Sequence, residues 1–430
     1  WWWFVVVAVF PISLAVWQSM RGVGVTRFGL TPVDLWRNTA LLSQGLIYPV
    51  APLAQALVHH VMVDPVVGVW LVAVPTVTLL AWRALRRDAD TFLLGLAWCT
   101  LFAAPPLVSM KADWFALAPR FLYMTAAGVS LIWTAALASW VAERAGPVRV
   151  VLTSVAVAAL LTPAVLFVRD GLRLYRLAGE SLWDAAEAVM RRHPVLLVNL
   201  PGRLTPNDRR YPLGFEGITP LPTRVTADGL AYVHTGTRNG ASAVAFGVVA
   251  VDRTATYSYE LFGRTVGWEE MADAARNARD AYLTRYQADR IYLVEAGGAE
   301  GPSADVAPAA SFGNQVELLA GSATCDGHGY VRLTTRWRTR SDVEADVCVF
   351  AHLMDENDKV ISQADGRPLL GMMPFWLWEP GDVLRDVRQF TPVASGEYTV
   401  GLGLWEPATG KRWEARGQPS GEVVVQVRCP

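Results

Sequence analysis

Apolar residues fall into two regimes along this chain. Before about residue 169 they come in long unbroken runs; beyond it they come in short stretches divided by polar turns. A helix that crosses a bilayer needs about 20 mostly apolar residues. Five runs meet that need, at 1–20, 65–82, 92–110, 121–141 and 148–168, and Pro11 sits inside the first, as membrane helices tolerate. Two of the connecting segments, Arg83-Ala-Leu-Arg-Arg-Asp-Ala-Asp90 and Glu143-Arg-Ala-Gly-Pro-Val-Arg149, are short and arginine-rich. An excess of basic residues marks cytoplasmic loops. Alternation then places 21–64, 111–120 and everything after 168 outside the cytoplasm. Within 21–64, residues 35–47 and 52–60 are amphipathic at helical spacing, punctuated by Thr31-Pro32 and Pro49. They are predicted to lie in the outer interface as helices rather than to span it.

Past residue 168 the period changes. Residues 172–192 carry an apolar stripe through Leu174, Leu177, Leu182, Ala185 and Val189, the mark of an amphipathic helix. Strands are predicted at 195–200, 230–234, 243–251, 256–262 and 290–294, with a helix over 269–286, so 171–296 reads as a small external α/β domain. The glycine-, proline- and alanine-rich stretch 297–312 reads as a linker. Seven short strands follow, at 316–320, 330–338, 345–354, 359–363, 383–390, 397–404 and 423–427, which suggests an immunoglobulin-like β-sandwich over 313–430. The expected fold is thus a multi-domain membrane protein. Its transmembrane helical domain, 1–170, has about five spans, and two external domains follow.

Composition adds limits. The chain has 430 residues, 52% hydrophobic and 18% charged, with a net charge of -1, so no basic surface invites nucleic acid. It opens on three tryptophans, with neither a basic segment nor a cleavage site of the kind a signal peptide carries. Residues are expected before Trp1. Of the four cysteines, Cys99 lies in a predicted span, while Cys325, Cys348 and Cys429 all lie in the outer region. An oxidising exterior permits one disulfide among those three and leaves one thiol over, and sequence does not choose the pair. His59-His60 near Asp64 point apart on a helix, and Asp355-Glu-Asn-Asp358 reads as a solvated hairpin turn. No spacing of paired metal ligands, phosphate loop or nucleophile elbow occurs.

The polar break at 111–123 is where chemistry concentrates. Lys111, Asp113 and Arg120 stand there among Trp114, Phe115, Phe121 and Tyr123, between two apolar runs. Charge at the edge of an apolar slab is costly and tends to mark a site, although aromatic and basic residues also serve as plain interfacial anchors. In the outer region, Phe375-Trp-Leu-Trp-Glu-Pro-Gly381 is an aromatic loop. Its Trp376 and Trp378 are candidates for stacking on sugar rings, and equally for plugging the edge of the sandwich.

Arg120-Phe-Leu-Tyr-Met-Thr-Ala-Ala-Gly128 resembles the Arg-Tyr-Leu-Tyr-Leu-Pro-Ser-x-Gly pattern that opens a late membrane helix in bacterial polytopic glycosyltransferases of the GT-C class, similar to protein O-mannosyltransferases. Arg120, Leu122, Tyr123 and Gly128 match; Phe121 is a mild change, and Thr125 and Ala126 replace Pro-Ser. Residues 350–413 resemble a β-sandwich found at the C-terminus of bacterial membrane glycosyltransferase-like proteins. The resemblance implies a multi-pass bacterial cell-membrane protein with its C-terminal domains outside the cytoplasm. It also implies transfer of a sugar from a polyprenyl-phosphate donor on the outer membrane face to a glycan or protein acceptor. Arg120 and Lys111 would hold the lipid-linked phosphate, with Tyr123 and Asp113 beside it. The catalytic carboxylate of that family follows its first membrane helix, so here it is expected in a part that precedes Trp1; Asp34, Asp64 and Asp113 are not assigned as the base. The cofactor is unassigned, with a divalent metal left open. The competing reading is a non-catalytic, membrane-anchored surface protein whose sandwich binds glycan or another envelope component. A transporter fragment is a third reading, disfavoured by the scarcity of charge within the spans.

Overall fold

The computed structural model describes residues 31–116, 123–142, 146–191, 193–221, 225–249, 256–300, 306–416 and 422–430. The chain divides into two compact units, Trp1–Leu174 with Thr205–Gly217, and Tyr175–Leu204 with Ile218–Pro430.

The first unit is helical. α1 (Pro32–Leu46) starts at a capping box in which Thr31 and Asp34 bond each other's backbone N–H groups, with Pro32 at the first position. α2 (Pro52–Val61) and α3 (Pro65–Leu85) follow, the latter capped by Asp64, which accepts from the Val66 and Val67 N–H groups. Then come α4 (Ala89–Ser109), the short α5 (Ala112–Ala116), α6 (Tyr123–Ala142) and α7 (Gly146–Val189). Among the described residues three helices, Pro65–Leu85, Ala89–Leu107 and Gly146–Val189, are long and apolar enough to cross a membrane, and the stretch Met124–Ala138 within α6 is apolar as well. Of the five spans expected from sequence, three therefore appear at full length. The one at 1–20 lies outside the described residues. α4 and α6 pack through glycine: a Cβ on Gly128 would come within 2.6 Å of the Gly95 carbonyl oxygen, and one on Gly95 within 2.8 Å of that of Gly128. Small residues let membrane helices approach this closely, so Gly128 serves packing.

The second unit is built on a ten-stranded sheet. Its first elements are β1 (Val195–Val198), β2 (Pro201–Pro206), α8 (Ala227–Thr235), β3 (Ser242–Ala245), β4 (Tyr257–Leu261), β5 (Arg264–Thr265), α9 (Trp268–Arg276), β6 (Asp280–Tyr286) and β7 (Ile291–Glu300). β1 pairs in parallel with β3 on one side and β6 on the other, and β5 extends the sheet beyond β3. β2 and β4 form a separate ribbon. The strand predicted at 230–234 is instead α8: Thr226 caps it by accepting from the Gly229 N–H, and Gly236 ends it in the left-handed region. The helix predicted over 269–286 stops at Arg276. Its second half is β6, buried on both faces at the centre of the sheet, and a strand so placed shows no alternation to betray it.

The remaining strands are β8 (Ala310–Phe312), β9 (Val316–Cys325), β10 (Val331–Thr339), β11 (Cys348–Met354), β12 (Val360–Gln363), β13 (Val383–Gln389), β14 (Gly396–Trp405), β15 (Ala415–Arg416) and β16 (Val423–Cys429). All seven predicted outer strands are present. β12, β11, β14 and β16 make a four-stranded sheet in that order. Its inner residues Val400, Leu402 and Val427 share one core with Leu318, Leu333 and Trp337 of β9 and β10.

The stretch read as a linker does not behave as one where it starts. Gly297–Glu300 belongs to β7 and pairs with β13, with Gly297 opposite Asp386 and Glu300 opposite Val383. The order β10-β13-β7-β6-β1 makes the α/β strands and the outer strands a single sheet. Gly297 and Gly298 have φ of 125° and 158°. A Cβ on Gly297 would lie 1.8 Å from the Arg385 carbonyl oxygen, and one on Gly298 2.1 Å from that of Arg279. These glycines exist for close approach, not for flexibility. Cys325 and Cys429 form the disulfide, closing a sequence separation of 104, and Cys348 is left buried and free.

Gly297→Ala or Gly298→Ala should each destabilise the second unit by at least about 3 kcal/mol, overpacking and left-handed strain combined. Gly327→Ala, with nothing within 4 Å of its Cβ, should stay within about 0.5 kcal/mol; denaturant melts followed by tryptophan fluorescence distinguish them. Reduction of Cys325–Cys429 should cost the same unit about 2–5 kcal/mol, read as a fall in Tm on adding a thiol.

Candidate functional site

Asp34, Asn38 and Gln44 of α1 organise one end of the first unit. Asn38, 1% exposed, donates from Nδ2 to the carbonyl oxygens of Met110 (2.8 Å) and Leu107 (3.3 Å), where α4 ends. Asp34 accepts from the Ala112 N–H at 3.0 Å through one carboxylate oxygen and from the Thr31 hydroxyl at 2.7 Å through the other. Those bonds, with Lys111 close by, hold the Asp34 carboxyl below its usual range. An ionised carboxylate with both oxygens engaged is a cap and a strut; it is poorly suited to accept a proton from a substrate. Phe115 of α5 is fully buried against Leu41 and Met110.

A second chain segment completes this end. Thr205–Gly217 leaves the second unit's β2 and packs within the first unit. Gln44 of α1 grips it as a peptide would: its Nε2 donates to the Leu213 carbonyl oxygen at 2.8 Å and its Oε1 accepts from the Leu213 N–H at 3.0 Å. Arg210 forms an ion pair with Asp170 of α7, and Tyr211 meets Phe167 edge-on with ring centroids 6.2 Å apart. Glu216 is buried and folds the loop on itself, accepting from the backbone N–H groups of Arg210 (2.9 Å) and Tyr211 (2.5 Å). Arg209 donates to the Gly214 carbonyl oxygen, at 2.6 Å.

The resulting shelf of α1, α5 and 205–217 contains two of the residues singled out from sequence. Lys111 is half-buried beside Asp34, and Asp113 is exposed on α5. Arg120 lies outside the described residues, as does the side chain of Tyr123, whose backbone opens α6. The structure thus brings Lys111 to Asp34, and the 205–217 loop to the end of α5, where the Phe215 N–H donates to the Ala116 carbonyl oxygen at 3.3 Å. The part played by that loop was not expected from the sequence; the basic run Arg209-Arg210 is a signal that could have pointed to it. Among the described residues no group of three His, Cys, Asp or Glu side chains could hold a metal ion.

In the second unit Trp378 is buried, its indole N–H donating to the Met373 carbonyl oxygen at 2.9 Å, so it presents no face to a sugar. Trp376 is half-buried. Arg367 covers its ring at 4.9 Å, and Trp268 meets its edge at 5.8 Å.

No family model matches the chain, and no curated protein matches it. Among solved structures it is similar to the CARDB domain of a Pyrococcus furiosus protein, solved with two metal ions. That match has 11% identity and a TM-score of 0.18, over 28% of this chain and 93% of the other. It is also similar to the N-terminal domain of PorA, with 9% identity and a TM-score of 0.12, over 25% of this chain and 83% of the other. Likeness at that level carries no argument about activity.

Burial holds the Glu216 carboxyl above its usual range, against the pull of the two backbone N–H groups and of Arg209 and Arg210. A carboxyl raised on folding binds its proton more tightly folded than unfolded. Its contribution is therefore full below the ordinary value of 4.5 and is lost as pH rises through the folded one. Docking of 205–217 should weaken over that window, seen as faster hydrogen exchange of the Leu213 amide after correction for the intrinsic rate. Glu216→Gln should flatten the dependence, at a cost of about 1–3 kcal/mol for the backbone N–H left without an acceptor.

Proposed function

We propose that this chain is part of an integral membrane glycosyltransferase that takes its sugar from a polyprenyl-phosphate donor on the outer membrane face, with the shelf described above holding the lipid-linked phosphate. The observation that carries the reading is the convergence of α1, α5 and the 205–217 loop at one end of a bundle of apolar helices, beside the segment that bears Lys111 and leads to the Arg120–Gly128 motif. A donor with a polyprenyl tail and a charged head needs such a boundary: apolar helices for the tail and cations for the phosphate. Lys111 serves as a point charge and Arg120 as a bidentate partner, with Tyr123 and Asp113 flanking the sugar. Asp34 is committed to structure and is not assigned as the catalytic base. The C-terminal domains lie outside the cytoplasm in this reading, where the acceptor, glycan or protein, is met. The outer strands form an immunoglobulin-like sandwich.

A charge-assisted hydrogen bond is worth about 1.5–3 kcal/mol, or roughly 10–100-fold in Kd. Arg120→Ala in the full-length protein should weaken binding of a polyprenyl-phosphate sugar by that factor, and Lys111→Ala by the lower end of it, with Tm unchanged. Radiolabelled donor in detergent micelles measures both the binding and the transfer. Unchanged donor binding in both variants would sink the reading. Glycan binding by the wild type without any transfer would favour the anchored surface protein.

A further inference from the structure

β1, β3 and β6 run parallel, so their C-terminal ends share one edge of the sheet. The chain leaves β1 through α8 to β3 on one side and returns through α9 to β6 on the other. In open α/β sheets the crevice outside such a point, where the order of strands reverses, is where ligands bind. Here that edge is locked. Asn199, just past β1 at φ 61°, donates from Nδ2 to the Phe246 carbonyl oxygen (3.0 Å) and accepts from the Phe246 N–H (2.7 Å). The Tyr286 hydroxyl donates to the Asn199 carbonyl oxygen at 2.7 Å.

Beside this edge lies a cavity of about 490 Å³, within the range of small-molecule sites. Val248 and Val249, which follow β3, Trp268, which opens α9, and Arg285, near the end of β6, form one side. The other comes from the outer strands and the loop that carries Arg367 and Leu370. Leu369 and Leu370 in that loop both adopt left-handed backbone, φ 51° and 55°, held by the Asp386 carboxylate on the Leu369 N–H at 2.7 Å. Consecutive non-glycine residues in that region store strain, which tends to gather at ligand sites.

The charges decide what would enter. Three arginines line the cavity, and two are spent. Arg388 is buried on Asp386 at 2.7 Å and donates to the carbonyl oxygens of Ala364, Gly366 and Arg367. Arg367 makes a two-pronged pair with Asp346 at 2.6 and 2.9 Å. Asp365, the carboxylate in the lining, accepts from the Ala351 N–H and pairs with His352. Arg285 is half-buried and, among the described residues, has neither a carboxylate nor a hydrogen-bond acceptor. A guanidinium taken out of water needs a counter-ion.

We propose that this cavity is a binding site for a small ring-bearing anion, a carboxylate or phosphomonoester such as an acidic or phosphorylated sugar, with Arg285 as its counter-ion and Trp268 as the wall on which the ring rests. The guanidinium fork matches either anion in two-pronged fashion. The site lies wholly in the second unit and does not rest on the glycosyltransferase reading, so the two fail separately.

The test uses the full chain in detergent micelles, with Tm and calorimetric titration as readouts and four probes: glucuronate, glucose 1-phosphate, inorganic phosphate and glucose. Wild type should bind glucuronate or glucose 1-phosphate and gain Tm, with neutral glucose inert. Which of the two anions binds tells carboxylate from phosphate. Arg285→Met should lose at least tenfold in affinity while its ligand-free Tm holds or rises, since an unpaired charge has been removed. Trp268→Leu should weaken the sugar anions but not inorganic phosphate. Equal affinity in Arg285→Met, or no binding of any anion by wild type at millimolar concentration, would overturn the site. Inorganic phosphate binding as tightly as glucose 1-phosphate would overturn the aromatic wall.

Discussion

The second unit depends on two backbones passing at a distance that only glycine allows. β7 pairs with β6 along most of its length and then, at Gly297 and Gly298, passes against β13 and the end of α9 with no room for a Cβ. From that crossing follows the joining of the parallel strands to the outer antiparallel ones as one sheet. The core is continuous as a result: Leu196 and Leu283 of the parallel strands belong with Trp337, Leu384 and Leu402 of the outer ones. Ion pairs reinforce the seam. Arg385 of β13 reaches both Asp280 of β6 and Glu295 of β7, and Arg191 also binds Asp280. Asp280 is nearly buried, and a buried carboxylate is tolerable only when paired in this way. The two walls of the cavity at Arg285 come from opposite sides of the same seam, so its shape is fixed by it.

Much of this was legible in the sequence where one physical signal dominates. Apolar length revealed the helices at 65–82, 92–110 and 148–168 that are long enough to cross a membrane, and short apolar stretches divided by turn residues revealed the seven outer strands. The signal failed where two causes compete. Residues 280–286 lie inside the sheet, buried on both faces, and follow a true helix, so helical periodicity runs on past its real end at Arg276. Residues 297–300 are glycine-rich because a neighbouring backbone is close, yet composition cannot tell close approach from flexibility. Ala227–Thr235 has the apolar density of a strand, and only its Thr226 cap and Gly236 stop mark it as a helix. The aromatic loop shows the same limit: of Trp376 and Trp378, two residues apart, one is half-buried under an arginine and the other is buried in the core.

The first unit shows how polar chemistry is held at the end of an apolar bundle. Asn38, Gln44 and Asp34 all lie on α1, and each satisfies backbone groups of another segment: the end of α4, the 205–217 loop and the start of α5. Helix ends and loops expose N–H and C=O groups that an apolar surrounding cannot satisfy. Side-chain amides and carboxylates are the economical partners, since one Asn or Gln can close a donor and an acceptor together. The polar content of the shelf is therefore mostly structural. The candidate site residues described on it, Lys111 and Asp113, are those left over from that role. Asp34 illustrates the difference: its position near a cation would suggest catalysis, but its two oxygens are already taken.

The same accounting separates the arginines of the second unit. Arg338, Arg367, Arg385 and Arg388 sit on or beside strands, and each has found a carboxylate: Glu317, Asp346, Asp280 with Glu295, and Asp386. A protein that pairs its half-buried guanidinium groups this consistently makes an exception costly, because the unpaired group bears its desolvation without return. Arg285 is that exception among the arginines lining its cavity. It projects from β6 on the face of Leu283, towards Trp268 and the end of the parallel strands. Replacing it with a neutral residue of similar length would relieve the cost without disturbing any bond among the described residues. Among the described residues no carboxylate or acceptor answers that cation, so what enters the cavity is the partner proposed for it.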